Sequence, residues 1–149
     1  MVSATADHAL RALLLLARAE NAKPMRADEI ADATGAPRNY MGKVLGAIAK
    51  AGLITSARGP AGGFTLAVPA AEISLGRVID LFDSIPANPI CMLGSGKCDP
   101  THPCRAHEAW TAVISARRSP LNSTSIADLL EGRVAPLVLA TNRETCHVA

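Results

Sequence analysis

Three cysteines lie close together in the chain and carry its clearest chemical signal. Six residues separate Cys91 from Cys98 and five separate Cys98 from Cys104, in a stretch that also contains glycines and prolines. Iron-sulfur clusters and zinc both need thiolates brought close to the metal, which a tightly folded loop can supply. Because these intervals are wider than those of typical structural zinc sites, they favour an iron-sulfur cluster over zinc.

A metal centre of this kind needs a fourth ligand, and the chain offers several. His107 follows Cys104 by three residues, so the two share one face if both lie on a helix, and His107 is the preferred local ligand. Asp99 and His102 lie in the same loop, but His102 beside a proline is more typical of a surface histidine. Cys146 lies near the C-terminus and is interpreted as a spare thiol.

The same thiols also allow a chemistry without metal. Two of them could form a reversible disulfide, and the cations Lys97 and Arg105 beside Cys98 and Cys104 favour the reactive thiolate form. Both interpretations make the loop a sensor.

The segments before the cysteines predict a small helical domain. Apolar residues recur every three or four positions from about Ala4 to Ala19, which indicates a first helix. A second helix is predicted from near Arg26 to Gly35, and a third from Pro37, which suits a first helical turn, to Gly52. Two short helices joined by a tight glycine-containing turn are typical of a helix-turn-helix.

A hairpin is predicted directly after the third helix. Two β-prone runs, 53–56 and 64–68, flank the turn Arg58 to Gly63, and such a hairpin beside a helix-turn-helix is a wing. Ser74 can cap a fourth helix running to Phe82.

A longer fifth helix is predicted after the cysteines. It is expected from Arg105 to Arg118, ended by Pro120, and its apolar stripe suits contact with a second subunit. Ser125 can cap a short helix through Leu130. We therefore expect a mainly α protein with a small β wing, divided into a winged helix-turn-helix DNA-binding domain (1–83), a cysteine cluster-binding loop (84–104), a dimerisation helix with the following short helix (105–131) and a C-terminal tail (132–149).

The charge distribution points to double-stranded DNA as the partner. The net charge is only +2, but no acidic residue lies between Asp32 and Glu72, and four cations do. An acid-free basic stretch is typical of a phosphate-binding face, although charge alone is equally compatible with a solvated surface. Aromatic residues make up 3% of the chain, which disfavours a single-strand binder. The expected contacts are Arg38 and Asn39 to base edges, Lys43 and Lys50 to phosphates, and Arg58 with Gly59 to the minor groove.

Other classes of protein fit the sequence less well. The apolar run Leu13 to Leu16 has no cationic leader and is too short to span a bilayer, so we expect a cytoplasmic protein without a membrane partner. A small iron-sulfur or zinc enzyme, or an electron carrier, is disfavoured because no paired carboxylates, Ser-His-Asp set or phosphate loop outside the wing is found. We do not expect an enzyme.

Three stretches together resemble a known family. The helix Ala6 to Leu13, the wing Arg58 to Phe64 and the three spaced cysteines before a long helix are similar to the Rrf2 family of bacterial transcription regulators, over about residues 2 to 131. The resemblance implies a homodimer with a winged helix-turn-helix and a long dimerisation helix. It also implies a [2Fe-2S] or [4Fe-4S] cluster held by Cys91, Cys98 and Cys104.

Within that family the fourth ligand separates the branches. The spacing of Cys104 and His107 is similar to the IscR branch, in which a histidine completes a [2Fe-2S] site. Asp7 stands where the NsrR branch has an aspartate that reaches a [4Fe-4S] cluster from the partner subunit, and the adjacent His8 could serve instead. Asp7 is equally explained as a charge favoured by the helix dipole. The first cysteine interval differs from the five-residue gap of the IscR branch, so the cluster type stays open.

The DNA-reading helix also departs from the IscR branch. Gly42 stands where that branch has a base-reading glutamate, whereas the stretch Arg38 to Met41 resembles the NsrR branch more closely. A different operator is the consequence. We expect a homodimeric, sequence-specific regulator, acting as a repressor, whose DNA affinity is set by a cluster sensing nitric oxide, redox state or iron-sulfur supply. The alternative is a cluster-free, thiol- or partner-controlled regulator of the CymR kind.

Overall fold

Helices surround one β-hairpin in the part of the chain that the structure describes. The computed structural model describes residues 2–19, 23–83, 96 and 99–133. The predicted mainly α architecture with a small β wing is confirmed. The elements described are α1 (Ala4–Arg18), α2 (Ala27–Thr34), α3 (Arg38–Lys50), β1 (Ile54–Ala57), β2 (Gly63–Leu66), α4 (Leu75–Asp80), α5 (His107–Ser123) and α6 (Ile126–Leu130).

Helix α1 lies at the centre of the core and contacts α2, α3, α4, α6 and β2. It begins where the Ser3 hydroxyl accepts a hydrogen bond from the Ala6 N–H at 3.2 Å, a typical N-cap. Its buried face consists mostly of alanine, whose small side chain lets neighbouring helices approach closely. The buried residues of α1 are Ala6, Ala9, Ala12, Leu13 and Leu16.

Helices α2 and α3 form the predicted helix-turn-helix. Gly35 ends α2 in the left-handed conformation, with φ of 70°, and the Ala36 N–H donates to the Ala31 carbonyl at 3.0 Å. Pro37 is the residue before α3 rather than part of its first turn, so α3 begins at Arg38. Buried Met41, Val44, Leu45 and Ile48 fix α3 against the core and leave its other face to solvent.

The hairpin pairs β1 and β2 in antiparallel register, with Ile54 opposite Leu66. Met25, just before α2, adds to the other edge of β2. Its N–H donates to the Phe64 carbonyl at 3.1 Å, and the Phe64 N–H donates to the Met25 carbonyl at 2.8 Å. At Gly63 an added Cβ would lie 2.6 Å from the Met25 carbonyl oxygen, so only glycine allows this approach. The wing is therefore tied to the start of the helix-turn-helix.

Three predicted helix boundaries in the second half were wrong. Helix α4 ends at Asp80 instead of Phe82, although the Asp83 N–H still donates to the Ile79 carbonyl at 2.8 Å. Helix α5 starts at His107 instead of Arg105 and runs through Pro120 to Ser123. Proline removes one helical donor but keeps its carbonyl, which accepts from the Thr124 N–H at 3.1 Å.

Helix α6 returns the chain to the core. The predicted cap is present, since the Ser125 hydroxyl accepts from the Asp128 N–H at 3.1 Å and the Asp128 carboxylate accepts from the Ser125 N–H at 2.9 Å. The Ile126 N–H donates to the Ile73 carbonyl at 2.9 Å, and the Ile126 side chain is fully buried beside the residues of α1 and α3. The segment after α5 thus shares the core of the winged domain.

Helices α4 and α5 are joined at what we term the α4–α5 junction, formed by Gly76, Asp80, Arg118 and Asn122. The Arg118 guanidinium lies 3.0 Å from the Asp80 carboxylate. Gly76 is buried, and the space that a Cβ would need there is taken by the Asn122 side chain. The close contact therefore depends on glycine at position 76.

Candidate DNA-binding surface and metal centre

The residues expected to contact DNA are solvent-exposed at two places. One group lies on α3, from its first residue along its outer face. The other group lies at the wing tip, where Gly59 adopts a left-handed φ of 111°. Exposure leaves these side chains able to meet a nucleic acid. The exposed set is Arg38, Asn39, Lys43, Lys50, Arg58 and Gly59.

Arg38 forms a two-point ion pair with Asp32 of α2. Its Nε lies 3.1 Å from Oδ1 and its Nη2 lies 2.7 Å from Oδ2. The hydrogen-bonded guanidinium lowers the pKa of Asp32, and the carboxylate raises the pKa of Arg38. Both groups are therefore ionised near neutral pH. Sequence reasoning missed Asp32 as a partner, and the six-residue separation across a helix turn gave little signal for it.

Arg26, which precedes α2, anchors the wing tip. Its Nη2 donates to the Pro60 carbonyl at 2.9 Å, and its own N–H donates to the Glu29 carboxylate at 2.8 Å. With the Met25 bridge, this gives the tip a second attachment to the helix-turn-helix. Sequence analysis considered Arg26 only as a helix start.

The two alternative ligands on α1 face different surroundings. The Asp7 carboxylate lies 2.9 Å from Nε of Arg11, one turn along the helix. The His8 ring packs edge-on against Tyr40 of α3, with ring centroids 6.0 Å apart and an angle of 74°. Its Nδ1 is buried and has no hydrogen-bond partner within residues 2–19, 23–83, 96 and 99–133. His8 thus contacts α3 of its own protomer.

Of the expected cluster ligands in the loop, Cys104 and His107 are described, whereas Cys91 and Cys98 lie outside the described residues, as does Cys146. The His107 N–H donates to the Cys104 carbonyl at 3.0 Å, which places the cysteine one turn before α5 begins. Both are partly buried and line one open hollow together with Pro100, Pro103, Arg105 and Glu108.

The donor chemistry of this hollow suits a thiophilic metal. Cysteine sulfur and imidazole nitrogen are both donors that zinc and iron-sulfur centres use, and Cys104 and His107 bring one of each to the start of α5. Among the described residues, which include a single one of the three loop cysteines, no group of three or more His, Cys, Asp or Glu side chains is placed to hold a metal ion. Cys104 and His107 therefore fit two positions of a larger ligand set.

The other candidate ligands of the loop hold a local turn. Asp99 accepts hydrogen bonds from the Thr101 N–H at 2.8 Å and from the Thr101 hydroxyl at 2.6 Å, and its second oxygen lies 3.3 Å from the His102 ring. The Thr101 hydroxyl, followed by the Thr101 N–H and His102, lowers the pKa of Asp99. The His102 side chain is 88% exposed, as expected for a surface histidine.

The entry to the cysteine segment is tied to the start of α1. One carboxylate oxygen of Asp83 accepts from the Ser3 N–H at 2.8 Å. Ser3 is also the N-cap of α1, the helix on which Asp7 and His8 lie.

One face of α5 is apolar and open to solvent. Val113 is 58% exposed, more than Val2 and Leu81, the other exposed large apolar residues of the described ranges. Ala109, Ala112 and Ala116 are exposed around it at helical spacing. Among the helices described, none is both long and apolar enough to cross a membrane.

Known proteins share the sequence pattern and the fold of this chain. Residues 2–132 match the model of the Rrf2 family, described as an iron-dependent transcriptional regulator. The structure is similar to CymR, the global cysteine regulator of B. subtilis, with a TM-score of 0.74 at 24% identity, covering 89% of this chain and 97% of that one. It is similar to T. potens IscR, with a TM-score of 0.69 at 23% identity, covering 89% and 88%. Staphylococcus aureus CymR matches with a TM-score of 0.69 at 28% identity, covering 87% and 97%.

Proposed function

Because the chain belongs to the Rrf2 family of transcription regulators, we propose that it is a sequence-specific repressor whose DNA affinity is controlled by an iron-sulfur cluster. Members of the family are transcription regulators, so the protein is not an enzyme, as the sequence predicted. The cluster would be [2Fe-2S] or [4Fe-4S] and would sense nitric oxide, redox state or iron-sulfur supply in the cytoplasm.

The proposed DNA contacts follow from the exposed surface of α3 and the wing. The first residues of a recognition helix reach base edges in the major groove, which assigns base contacts to Arg38 and Asn39. Lys43 and Lys50 are assigned to phosphates, and Arg58 with Gly59 to the adjacent minor groove. The stretch of residues 33–71 that supplies this surface contains four cations and no acidic residue, which supports phosphate contact.

The single observation that supports the metal centre is the pairing of Cys104 with His107 at the start of α5. The proposed ligands are Cys91, Cys98, Cys104 and His107, with Asp7 or His8 of a partner subunit as the alternative to His107. The cluster would supply a centre that reacts with oxidants or nitric oxide. The ion pair of Asp7 with Arg11 and the inward position of His8 make His107 the preferred fourth ligand.

We propose the exposed face of α5 as the homodimer contact. A second copy presenting the same stripe would cover Val113 and the surrounding alanines, as expected for a self-complementary interface. The segment from Asp83 to Cys104 leads from the tether on Ser3 to the base of this helix. Ordering of that segment would thereby set the spacing of the two winged domains, to which operator binding is sensitive.

Anaerobic purification with iron, sulfide and absorbance measurements tests the cluster. We expect a coloured protein with iron and sulfide in equal amounts, and Cys98→Ala should lose both while remaining a folded dimer by circular dichroism and sedimentation. A full iron and sulfide content in Cys98→Ala after anaerobic reconstitution would exclude the ligand assignment.

The second candidate function is a regulator of the CymR kind without a cluster. Its support is the 27% identity to Staphylococcus aureus CymR in a structure of its oxidized form, which shows that a related protein exists in an oxidized state. In that case the thiols of this chain would form a disulfide. A colourless anaerobic protein whose operator affinity changes with a thiol oxidant and is restored by a reductant would select this alternative.

A further inference from the structure

The first residue of the DNA-reading helix is held by a side chain that sequence analysis did not include in the site. Arg38 lies at the first position of α3, and Asp32 lies on α2 across the tight turn. The two contacts, at 3.1 Å and 2.7 Å, join the carboxylate to Nε and Nη2, which form one edge of the planar guanidinium. Both side chains are largely exposed, at 66% and 60%.

The geometry leaves a second edge of the guanidinium for another ligand. Arginine has five N–H donors in a fixed plane, and Asp32 takes one from Nε and one from Nη2. The donors of the Nη1 and Nη2 edge are not used by this pair. That edge matches the O6 and N7 acceptors of guanine in the major groove, and a bidentate contact of this kind is the commonest specific contact of arginine with DNA.

A long exposed arginine normally loses side-chain freedom when it binds a base. The carboxylate of Asp32 fixes the plane of the guanidinium before DNA arrives, and α2 and α3 pack together through buried residues such as Ile30 and Met41. The ion pair therefore joins two helices that already pack against each other.

We propose that Asp32 is a positioning residue that presents Arg38 to a guanine, so that the pair determines base specificity at one position of each operator half-site. This inference rests on the proposed role of Arg38 in DNA reading. It makes the guanine contact depend on a residue that does not itself touch the DNA.

The proposal predicts that removing the Asp32 charge lowers operator affinity, whereas charge repulsion alone predicts that it raises this affinity. A carboxylate near the phosphates repels DNA, so removing its charge should strengthen binding to every duplex. If Asp32 orients Arg38, its removal should instead weaken binding to the operator and relax selection of the guanine. The two effects separate when specific and non-specific duplexes are compared.

Asp28 provides a matched control. It is an exposed carboxylate on the same helix, one turn earlier, and its charge also acts on Arg38. Its carboxylate accepts a hydrogen bond from the N–H of the neighbouring Glu29. Asp28→Asn removes one negative charge from the same face without touching the hydrogen bonds of Arg38.

The probes are a duplex enriched from a random pool by the wild-type protein, its single-base-pair variants, and a scrambled duplex. We expect Asp28→Asn to bind the enriched and scrambled duplexes more tightly by similar factors. Asp32→Asn should bind the scrambled duplex more tightly but the enriched duplex about tenfold more weakly, within the range for one bidentate base contact. The guanine that Asp32→Asn ceases to select should be the one lost in Arg38→Ala.

Equal behaviour of Asp32→Asn and Asp28→Asn on all probes would overturn the proposal. So would relaxation by Asp32→Asn at a base pair that Arg38→Ala still selects. Thermal unfolding of both variants checks that neither change acts through stability. Enrichment of no duplex by the wild-type protein would instead contradict the proposed DNA-binding function, which keeps the two failures distinct.

Discussion

Replacing Ile126 by alanine tests whether α6 belongs to the core of the winged domain. The side chain is fully buried, and its neighbours come from the same cluster that holds α1 and α3. The change removes three carbon atoms, and at about 0.8 kcal/mol for each buried CH₂ the transfer contribution is about 2.4 kcal/mol. The cavity left behind raises the expected loss in the free energy of unfolding to about 3 to 4 kcal/mol.

Urea unfolding followed by circular dichroism measures this loss. Protein concentration is held fixed because dimerisation would contribute to the apparent stability. The matched control is Leu130→Ala, on the same helix but only partly buried, for which we expect a loss of less than about 2 kcal/mol. A loss below about 1 kcal/mol for Ile126→Ala, or one no larger than that of the control, would contradict the placement of α6 in the core.

Four further changes test other parts of the molecule. Arg58→Ala should weaken operator binding by about 1 to 3 kcal/mol in a titration at physiological salt. Sedimentation should be unchanged, because the wing-tip cation is exposed and distant from the core. Unchanged affinity would exclude a role of Arg58 in DNA contact. Gly63→Ala should lower the free energy of unfolding by about 2 kcal/mol or more, because a Cβ there meets the Met25 backbone and breaks two hydrogen bonds. The urea midpoint measures this loss, and the control is Gly46→Ala, where an added Cβ meets open space. His107→Ala should shift the visible spectrum of the reconstituted protein and make the cluster labile, whereas Asp7→Ala should do neither, and the reverse pattern would assign the fourth ligand to Asp7. The Ser125 hydroxyl and N–H lower the pKa of Asp128, so the contribution of Asp128 to stability is complete above the pKa of the unfolded carboxyl and is lost as pH falls through the folded pKa. In Asp128→Asn the urea midpoint should therefore fall less steeply between pH 5 and pH 2 than in the wild type. An unchanged slope would contradict this.

The local signals in the sequence were sufficient for most of the DNA-binding domain. Gly35 predicted the end of α2 because only a residue without a Cβ enters the left-handed conformation at no cost. Ser74 and Ser125 predicted two helix starts because their hydroxyls can accept from the first free N–H groups. These signals act within a few residues, and the sequence displays them directly.

The features that the sequence did not reveal depend on contacts between distant segments. Met25 pairs with Phe64, and Arg26 reaches Pro60, only because the core brings the start of α2 beside the wing. Pro120 indicated a helix end, yet α5 continues because packing of its last turn against α4 compensates for one missing hydrogen bond. Propensity is a weak signal where tertiary contacts oppose it.

The candidate site also contains features that the sequence predicted and one that it did not. Exposure of Arg38 and Arg58 was predictable from charge pattern and position. The pairing of Arg38 with Asp32 was not, because a surface ion pair leaves no period in the sequence. The backbone hydrogen bond between His107 and Cys104 is consistent with their three-residue spacing, although α5 starts later than expected, at His107 itself.

The α4–α5 junction lets the segment between α4 and α5 vary in length. The helices on either side of residues 81–106 are fixed to each other through Asp80 and Arg118 and through the contact of Gly76 with Asn122. A connection whose two ends are already held together can change length cheaply, since doubling a loop costs only about 0.6 kcal/mol in closure entropy. The segment between them can therefore be lengthened or shortened while α4 and α5 stay joined. The same independence makes the segment a natural position for grafting a foreign sensor.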